Sequence, residues 1–394
     1  MKIAILTSGI LPVPAVKGGA VENLTDFYLA YNDRHHLHDI TVYSVGDKAT
    51  RHHPALQSEV NHYHYVEVQS LLAKVRKRLY HWLHGEGYYH YTIEHFFQQA
   101  MRHIRQQGYD MVILENRPGY GLQIPKDLQA KVVLHLHNDF LHADTKGARD
   151  IYDRMDGIVC ISDFIRQRVA TINSDSDRKC VTVLNGIDVE AFSRPTTTPR
   201  QREAGLQDSD FVVVFSGRIV EEKGIRQLLT AMQELRDRRD IKLLIVGGSF
   251  YGNERRETAF IRELRVLAAD IRDQIVFTGF RPYSEMPSLL AQADIAVLPS
   301  VWDEPLGLTC IEAMAKGLPV ITTRKGGIPE TVSPACAVML DIDDQLPHQI
   351  ATAILDLYDH PEKRQAMGRA AIQQAQTFSK EHYAERFFRA LESF

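Results

Sequence analysis

The stretch Ile295-Ala296-Val297-Leu298-Pro299-Ser300-Val301-Trp302-Asp303-Glu304-Pro305-Leu306-Gly307-Leu308-Thr309-Cys310-Ile311-Glu312-Ala313-Met314-Ala315-Lys316-Gly317 decides the fold. Its first four residues are a short, uncharged apolar run, the pattern of a strand covered on both faces of a parallel sheet. Beyond the Gly307 turn it enters a helix that stops at Gly317, ahead of Pro319. The same strand–loop–helix style recurs outward in both directions. In the first half the buried runs are Ile3–Leu6, Ile40–Tyr43, Met111–Leu114, Val132–Leu136 and Gly157–Cys160, with helical stretches at Val21–Leu29 and Thr92–Gln106 between them. In the second half they are Phe211–Phe215, Lys242–Val246, Ile275–Phe277, Ile295–Leu298 and Val320–Thr322. Two such series predict an α/β protein of two Rossmann-like, doubly wound domains facing across a deep cleft.

At roughly 150 residues per domain, 394 residues also suit two domains. The break is expected at Ser193-Arg194-Pro195-Thr196-Thr197-Thr198-Pro199, whose prolines and threonines suit a linker. This gives domains over 1–195 and 196–375, then a terminal segment, 376–394, with apolar residues on a helical period from Ser379. Hydrophobic residues are 44 % and charged residues 24 %, as in ordinary globular proteins, which excludes disordered and collagen-like chains. Lys plus Arg is 46 and Asp plus Glu is 50, a net charge of −4, so no nucleic-acid partner is expected. The cysteines, Cys160, Cys180, Cys310 and Cys336, form no C-x-x-C pair and no disulfide framework, which suits a reducing, cytoplasmic compartment. The N-terminal run reads as a first strand rather than a signal peptide, and no window reaches the roughly 18 apolar residues of a membrane span.

In an open parallel sheet, ligands bind at the carboxyl ends of the strands, so the loops after strands are where chemistry is expected. Glu304 and Glu312 lie before and inside the helix of the opening stretch, and Gly307 lets backbone come close to a ligand. The free N–H groups at the helix start favour an anion. The loop can thus hold a phosphate in its middle and hydroxyls at each carboxylate, which is the arrangement of groups in a sugar nucleotide. Thr309-x-x-Glu312 is equally a capping box, so a purely structural role for Glu312 stays open. The second piece is Phe215-Ser216-Gly217-Arg218-Ile219-Val220-Glu221-Glu222-Lys223-Gly224, after the strand Phe211–Phe215. Arg218 and Lys223 can converge there on one anion, the first as a fork and the second as a point charge.

These residues carry a resemblance. Glu304-x7-Glu312 with Pro305, Gly307, Leu308 and Thr309 resembles the signature of family 4 retaining glycosyltransferases of the GT-B fold. So do Gly217-Arg218 with Lys223-Gly224, and Asn185-Gly186-Ile187-Asp188 with Phe192. So do Ala293-Asp294 leading into Pro299-Ser300, and Gly326-Gly327-Ile328-Pro329-Glu330. The resemblance implies that Arg218 and Lys223 bind a donor diphosphate, Glu304 the donor sugar and Glu312 the ribose. It places backbone at Leu306–Thr309 on the phosphate and the nucleobase near Gly279, Phe280 and Arg281. It also implies that the terminal helix crosses back onto the first domain. The activity implied is transfer of a hexose from a nucleotide diphosphate sugar, expected to be a UDP-sugar, to a saccharide or lipid-linked saccharide hydroxyl.

In the first half, Gly18 and Gly19 precede a helix and can present amides; the resemblance implies that their loop closes over the donor. The absence of G-x-G-x-x-G removes the nicotinamide fingerprint. His135 and His137 alternate onto one face at the end of Val132–Leu136. The resemblance gives His137 contact with the donor sugar and, with Glu304, Arg218 and Lys223, a catalytic role. A metal on His135-x-His137 needs further ligands, and none is evident in the sequence. The Asp-x-Asp pairs at Asp175/Asp177, Asp208/Asp210 and Asp341/Asp343 follow no clear core strand. No metal and no cofactor is therefore assigned, the donor being a co-substrate whose charge is met by cations and helix amides. Residues 71–84 mix four cations with leucines, Tyr80 and Trp82, as a basic helix lying on an anionic membrane surface would; the alternative is a helix packed on its own domain. Nearby Tyr63, Tyr65, Tyr88, Tyr89 and Tyr91 could line an acceptor groove. Two rival functions remain, a nucleotide-sugar 2-epimerase and a non-catalytic nucleotide-sugar-binding partner.

Overall fold

A computed structural model describes residues 1–68, 91–173, 175, 178–194, 203–248 and 258–394. The basic stretch 71–84, Tyr88, Tyr89 and residues 195–199 of the expected linker lie outside the described residues.

The first unit comprises residues 1–186 together with 380–394. Its strands are β1 (Lys2–Leu6), β2 (Asp39–Val45), β3 (Asn61–Val66), β4 (Met111–Glu115), β5 (Lys131–Leu136), β6 (Gly157–Cys160) and β7 (Cys180–Thr182). They pair in parallel in the order β3-β2-β1-β4-β5-β6-β7. Helix α1 (Ala20–His35) follows β1 and α2 (Tyr91–Gln107) precedes β4. The central strands are continuous apolar runs because helices cover both faces; in β4 every residue is buried. The chain's last helix, Lys380–Glu392, buries Tyr383, Ala384, Phe387, Phe388, Ala390 and Leu391 in this unit's core. Phe387 stacks on Tyr28 of α1 at 4.3 Å between ring centroids.

The second unit spans residues 187–379. Its strands are β8 (Phe211–Ser216), β9 (Ile241–Val246), β10 (Ile275–Gly279), β11 (Ile295–Leu298), β12 (Val320–Thr323) and β13 (Ala337–Leu340), parallel in the order β10-β9-β8-β11-β12-β13. Both sheets have the doubly wound order in which the chain starts centrally and builds outward to each side.

The units divide at 186/187 and 379/380, where the sequence reading put 195/196 and 375/376. The physical reason is local pairing. The Ile187 amide donates to the Phe378 carbonyl at 2.8 Å, and Ile187 and Ser379 form a parallel bridge. The short helix Val189–Ser193 then belongs to the second unit, where Phe192 meets the Tyr283 ring edge-on and Lys316 donates to the Arg194 carbonyl. Three strands escaped the sequence reading. β3 reads Asn61-His62-Tyr63-His64-Tyr65-Val66, an edge strand without an apolar run; β7 has 3 residues and β13 has 4.

Phe387→Ala removes a wholly buried ring between α1 and the sheet. It is expected to lower unfolding stability by about 3–5 kcal/mol in chemical denaturation. A loss under about 1 kcal/mol would mean that the terminal helix does not carry this core.

Candidate active site

The loop after β8 and the loop after β11 are joined by backbone. The Glu222 carbonyl accepts from the Val301 amide at 2.9 Å, and the Ser300 hydroxyl lies 3.1 Å from the same carbonyl. Gly224, with φ 70°, lies against the Pro299 carbonyl, where any Cβ would overlap that oxygen. From the other side, the Gly327 amide donates to the Glu304 carbonyl at 2.7 Å. Gly326, with φ 54°, leaves no room for a Cβ beside the Glu304 backbone. Residues 299–304 are thus clamped between two glycine turns.

That clamp brings Lys223 and Glu304 together. The Lys223 ammonium pairs with Oε1 of Glu304, and the Ser300 hydroxyl donates to the same oxygen at 2.5 Å. Glu304 is buried, so a partner is required if it is to stay ionised. A pocket opens around the pair. It is lined among others by Ser216, Lys223, Ser300, Glu304, Gly307 and Thr309, with an apolar floor that includes Phe215 and Ile328. Gly307, at φ 93°, starts the helix Leu308–Ala315, the ninth α-helix among the described residues and so labelled α9, and no side chain caps it. The uncapped amides, one ammonium and the hydroxyls of Ser216 and Thr309 give the pocket the donor set of an anion site. The Ser216 hydroxyl is buried with no partner among the described residues.

Glu312 does not form the capping box that the sequence allowed, because Gly307 occupies the cap. Its carboxyl accepts instead from the Tyr283 hydroxyl at 2.9 Å. Burial raises its pKa to about 7, against an ordinary 4.5, with the Tyr283 hydrogen bond opposing. The Tyr283 hydroxyl is itself pushed far up, by burial first and then by the Glu312 charge. Arg218 is exposed on the loop after Gly217 and is not among the pocket's lining residues. Leu306 is buried and Leu308 half-buried at the start of the helix. Gly279 and Phe280 are exposed at the end of β10. Arg281 is held by its own unit: its guanidinium donates to both carboxylate oxygens of Glu203, at 2.8 and 2.7 Å, and to Glu285 at 3.3 Å.

Gly18, Gly19 and His137 belong to the first unit. Gly19, at φ 110°, starts α1, and Gly18, at φ 73°, has open space where a Cβ would be. His137 follows β5 and is buried with a partner that the sequence reading missed. Its Nε2 lies 3.0 Å from Oε2 of Glu115, while His135 Nδ1 lies 3.2 Å from Oε1. The sequence reading found no third ligand-type residue beside the two histidines; Glu115 is one, and the three groups place their ligand atoms within 4.8 Å of one another. Glu115 ends the apolar strand β4 and stands in register with His135 on β5. A charge closing an apolar strand at its carboxyl end was the available signal. A metal ligand histidine normally donates its outer N–H to an acceptor, yet His135 Nε2 and His137 Nδ1 are buried without partners among the described residues. The arrangement is that of a hydrogen-bonded carboxylate rather than a metal shell.

Two parallel-sheet, Rossmann-like units, each starting at a central strand and building outward, are the architecture of the GT-B fold. Residues 197–374 match the family model described as glycosyl transferases group 1. Spore coat protein SA of Bacillus subtilis is 27 % identical over 389 residues, covering 96 % of this chain and 95 % of that one. A D-inositol 3-phosphate glycosyltransferase of Corynebacterium glutamicum is 37 % identical over 216 residues, 52 % of this chain and 50 % of that one. Among solved structures, Anabaena Alr3699/HepE in complex with UDP and glucose has a TM-score of 0.75 at 19 % identity, covering 100 % of both chains. The second unit thus matches the group 1 glycosyltransferases, and the chain has the GT-B fold.

Glu312 yields a signed prediction. With its pKa raised on folding, the ligand-free protein loses stability as pH rises from about 4.5 to about 7, and the penalty, up to about 3 kcal/mol, persists above. Glu312→Gln should therefore raise the melting temperature at pH 8 and leave it nearly unchanged below pH 4.5. Equal melting temperatures at pH 8 would contradict the burial cost.

Proposed function

We propose that the protein is a family 4 retaining hexosyltransferase, moving a hexose from a nucleotide diphosphate sugar to a hydroxyl acceptor. The observation that carries this reading is the Lys223–Glu304 pair at the mouth of the pocket beside the uncapped start of α9. A diphosphate suits the ammonium, the hydroxyls of Ser216 and Thr309, and the α9 amides, with Arg218 reaching in from the same loop. Glu304 then takes sugar hydroxyls, and Glu312, as a carboxylate, the two ribose hydroxyls. Gly279, Phe280 and Arg281 are assigned to the base, with Arg281 contributing backbone since its side chain is engaged. UDP is the favoured diphosphate, supported by the HepE complex with UDP and glucose. We expect the reaction to be metal-independent, because cations and amides meet the diphosphate charge.

In the first unit, His137 contacts the donor sugar, and the Gly18-Gly19 loop closes over the donor. The leaving diphosphate gains charge as the anomeric bond breaks, so Lys223, Arg218 and the α9 amides lower the barrier electrostatically. With no carboxylate assigned as nucleophile, the acceptor attacks from the face the diphosphate leaves, and a leaving phosphate oxygen takes the acceptor proton. Trapping of a glycosyl-enzyme would overturn this route. The acceptor is a saccharide or lipid-linked saccharide, in surface polysaccharide, lipopolysaccharide or glycolipid synthesis. Among the described residues no helix is long and apolar enough to cross a membrane. A cytoplasmic protein resting on the membrane's inner face through residues 71–84 is the arrangement we favour.

The first test is a thermal-shift panel with UDP, GDP, ADP and dTDP, then their sugars, with magnesium and with chelator. One diphosphate should raise the melting temperature in both conditions; no shift with any would remove the main support for the reading. Lys223→Ala should raise the donor KM about tenfold to hundredfold and lower kcat, since a charge-assisted hydrogen bond is worth about 1.5–3 kcal/mol. Glu304→Ala should cost turnover far more than UDP binding. An equal loss of free UDP affinity would contradict its place at the sugar.

A further inference from the structure

The first unit keeps a carboxylate fully buried beneath His137. Glu115 and His135 are wholly buried, and His137 retains 5 % of its surface, so a ligand meets this cluster through His137. Glu115 receives three groups that can donate: the Tyr28 hydroxyl at 2.8 Å and His135 Nδ1 at 3.2 Å on Oε1, and His137 Nε2 at 3.0 Å on Oε2. An ionised carboxylate is acceptor-only, so each of those groups carries its proton toward Glu115. The His137 backbone amide is fixed as well, donating to Oδ1 of Asn116 at 3.0 Å. What remains of the imidazole is Nδ1, without a partner among the described residues and with almost no accessible surface, so a ligand hydroxyl reaches it only with a local shift of its neighbours. A proton there would be an unsatisfied buried donor, which costs about 1–3 kcal/mol.

We propose that Glu115 is a positioning residue for the transfer reaction, holding His137 as the neutral tautomer protonated on Nε2, so that Nδ1 accepts a hydroxyl of the transferred sugar. The proposal rests on the transferase reading above. It assigns the acceptor atom and the residue that sets it. The surroundings agree with a neutral ring: burial, and then the neighbouring His135, lower the His137 pKa to about 4 despite Glu115. Glu115 stays ionised because the two histidines outweigh its burial. The other ionisable groups facing Glu115 are Tyr28 and Glu22 on α1 and Tyr383 on the terminal helix. None supplies a cation that would replace the histidines as partners. A neutral imidazole also suits its place, because an imidazolium beside an oxocarbenium-like centre would repel the charge that develops there.

The test combines a spectrum and a rate on the full chain. Protein labelled with ¹⁵N in histidine side chains is compared with His137→Gln, which identifies the His137 signals. The wild type should show a proton on Nε2 and a bare Nδ1. In Glu115→Gln the amide can donate to Nε2, and the proton should move to Nδ1. Slow hydrolysis of UDP-glucose, UDP-galactose and UDP-N-acetylglucosamine, read as UDP release, should fall in that variant by at least about tenfold in kcat, with UDP affinity kept. A wild-type proton on Nδ1, or a bare Nε2 with a divalent metal bound, overturns the proposal, and this reading stands even if Glu115→Gln does not fold. Full turnover in a folded Glu115→Gln overturns it too. Wild-type protein that neither binds UDP nor releases it from any donor marks instead the failure of the transferase reading.

Discussion

A half-buried ammonium against a buried carboxylate, Lys223 on Glu304, is the contact around which the second unit is organised. Neither charge is stable there alone, because an unpaired buried ion costs several kcal/mol. The two residues lie on loops after neighbouring strands, β8 and β11, and the backbone bond from the Val301 amide to the Glu222 carbonyl keeps those loops in register. Glycines at 224 and 326 are required because carbonyl oxygens, not side chains, occupy the space a Cβ would need. The sequence pattern Lys-Gly on one loop and Glu-Pro on the other follows from this packing as much as from any ligand.

The same logic governs the first unit with different chemistry. There the buried carboxylate is Glu115, and its partners are two imidazoles and a phenol rather than an ammonium. The terminal helix completes that environment: Phe387 stacks on Tyr28 and lies 5.0 Å from the His135 ring. A helix from the far end of the chain therefore excludes water from the histidine cluster, which strengthens each hydrogen bond to Glu115. In both units the paired carboxylate sits at the carboxyl edge of a parallel sheet, where strand ends converge.

Much of this was legible in the sequence, and the limits have physical causes. Apolar runs such as Phe211–Phe215 and Val132–Leu136 identify buried parallel strands because both faces are covered. β3 escaped because an edge strand alternates polar and aromatic residues without a run. The motif carried Glu304, Lys223 and Glu312 because loop spacing constrains them locally. Glu115 and Tyr283 are contributed by strand register and by a loop distant in sequence, and no local spacing encodes either contact. Ser216 stood in the sequence only as the residue after the strand Phe211–Phe215, and its place in the pocket is what distinguishes it. The terminal helix was legible as a helix, whereas its bond to the first unit depends on Phe387 and Tyr383 meeting Tyr28 across most of the chain.

Among the groups held at a cost to stability are the Glu312 carboxyl, the Ser216 hydroxyl and His137 Nδ1. A folding optimum alone would replace each with a group that needs no partner. Their common property is that a sugar nucleotide could satisfy all three, with ribose hydroxyls for Glu312, a phosphate oxygen for Ser216 and a sugar hydroxyl for His137. Satisfying them contributes to binding part of the free energy withheld from folding. On this view the donor is also a structural element, and the ligand-free protein is the less stable of two states. The residues that weaken the empty fold are then the ones that recognise the ligand, so stabilising substitutions at these three positions carry a functional penalty.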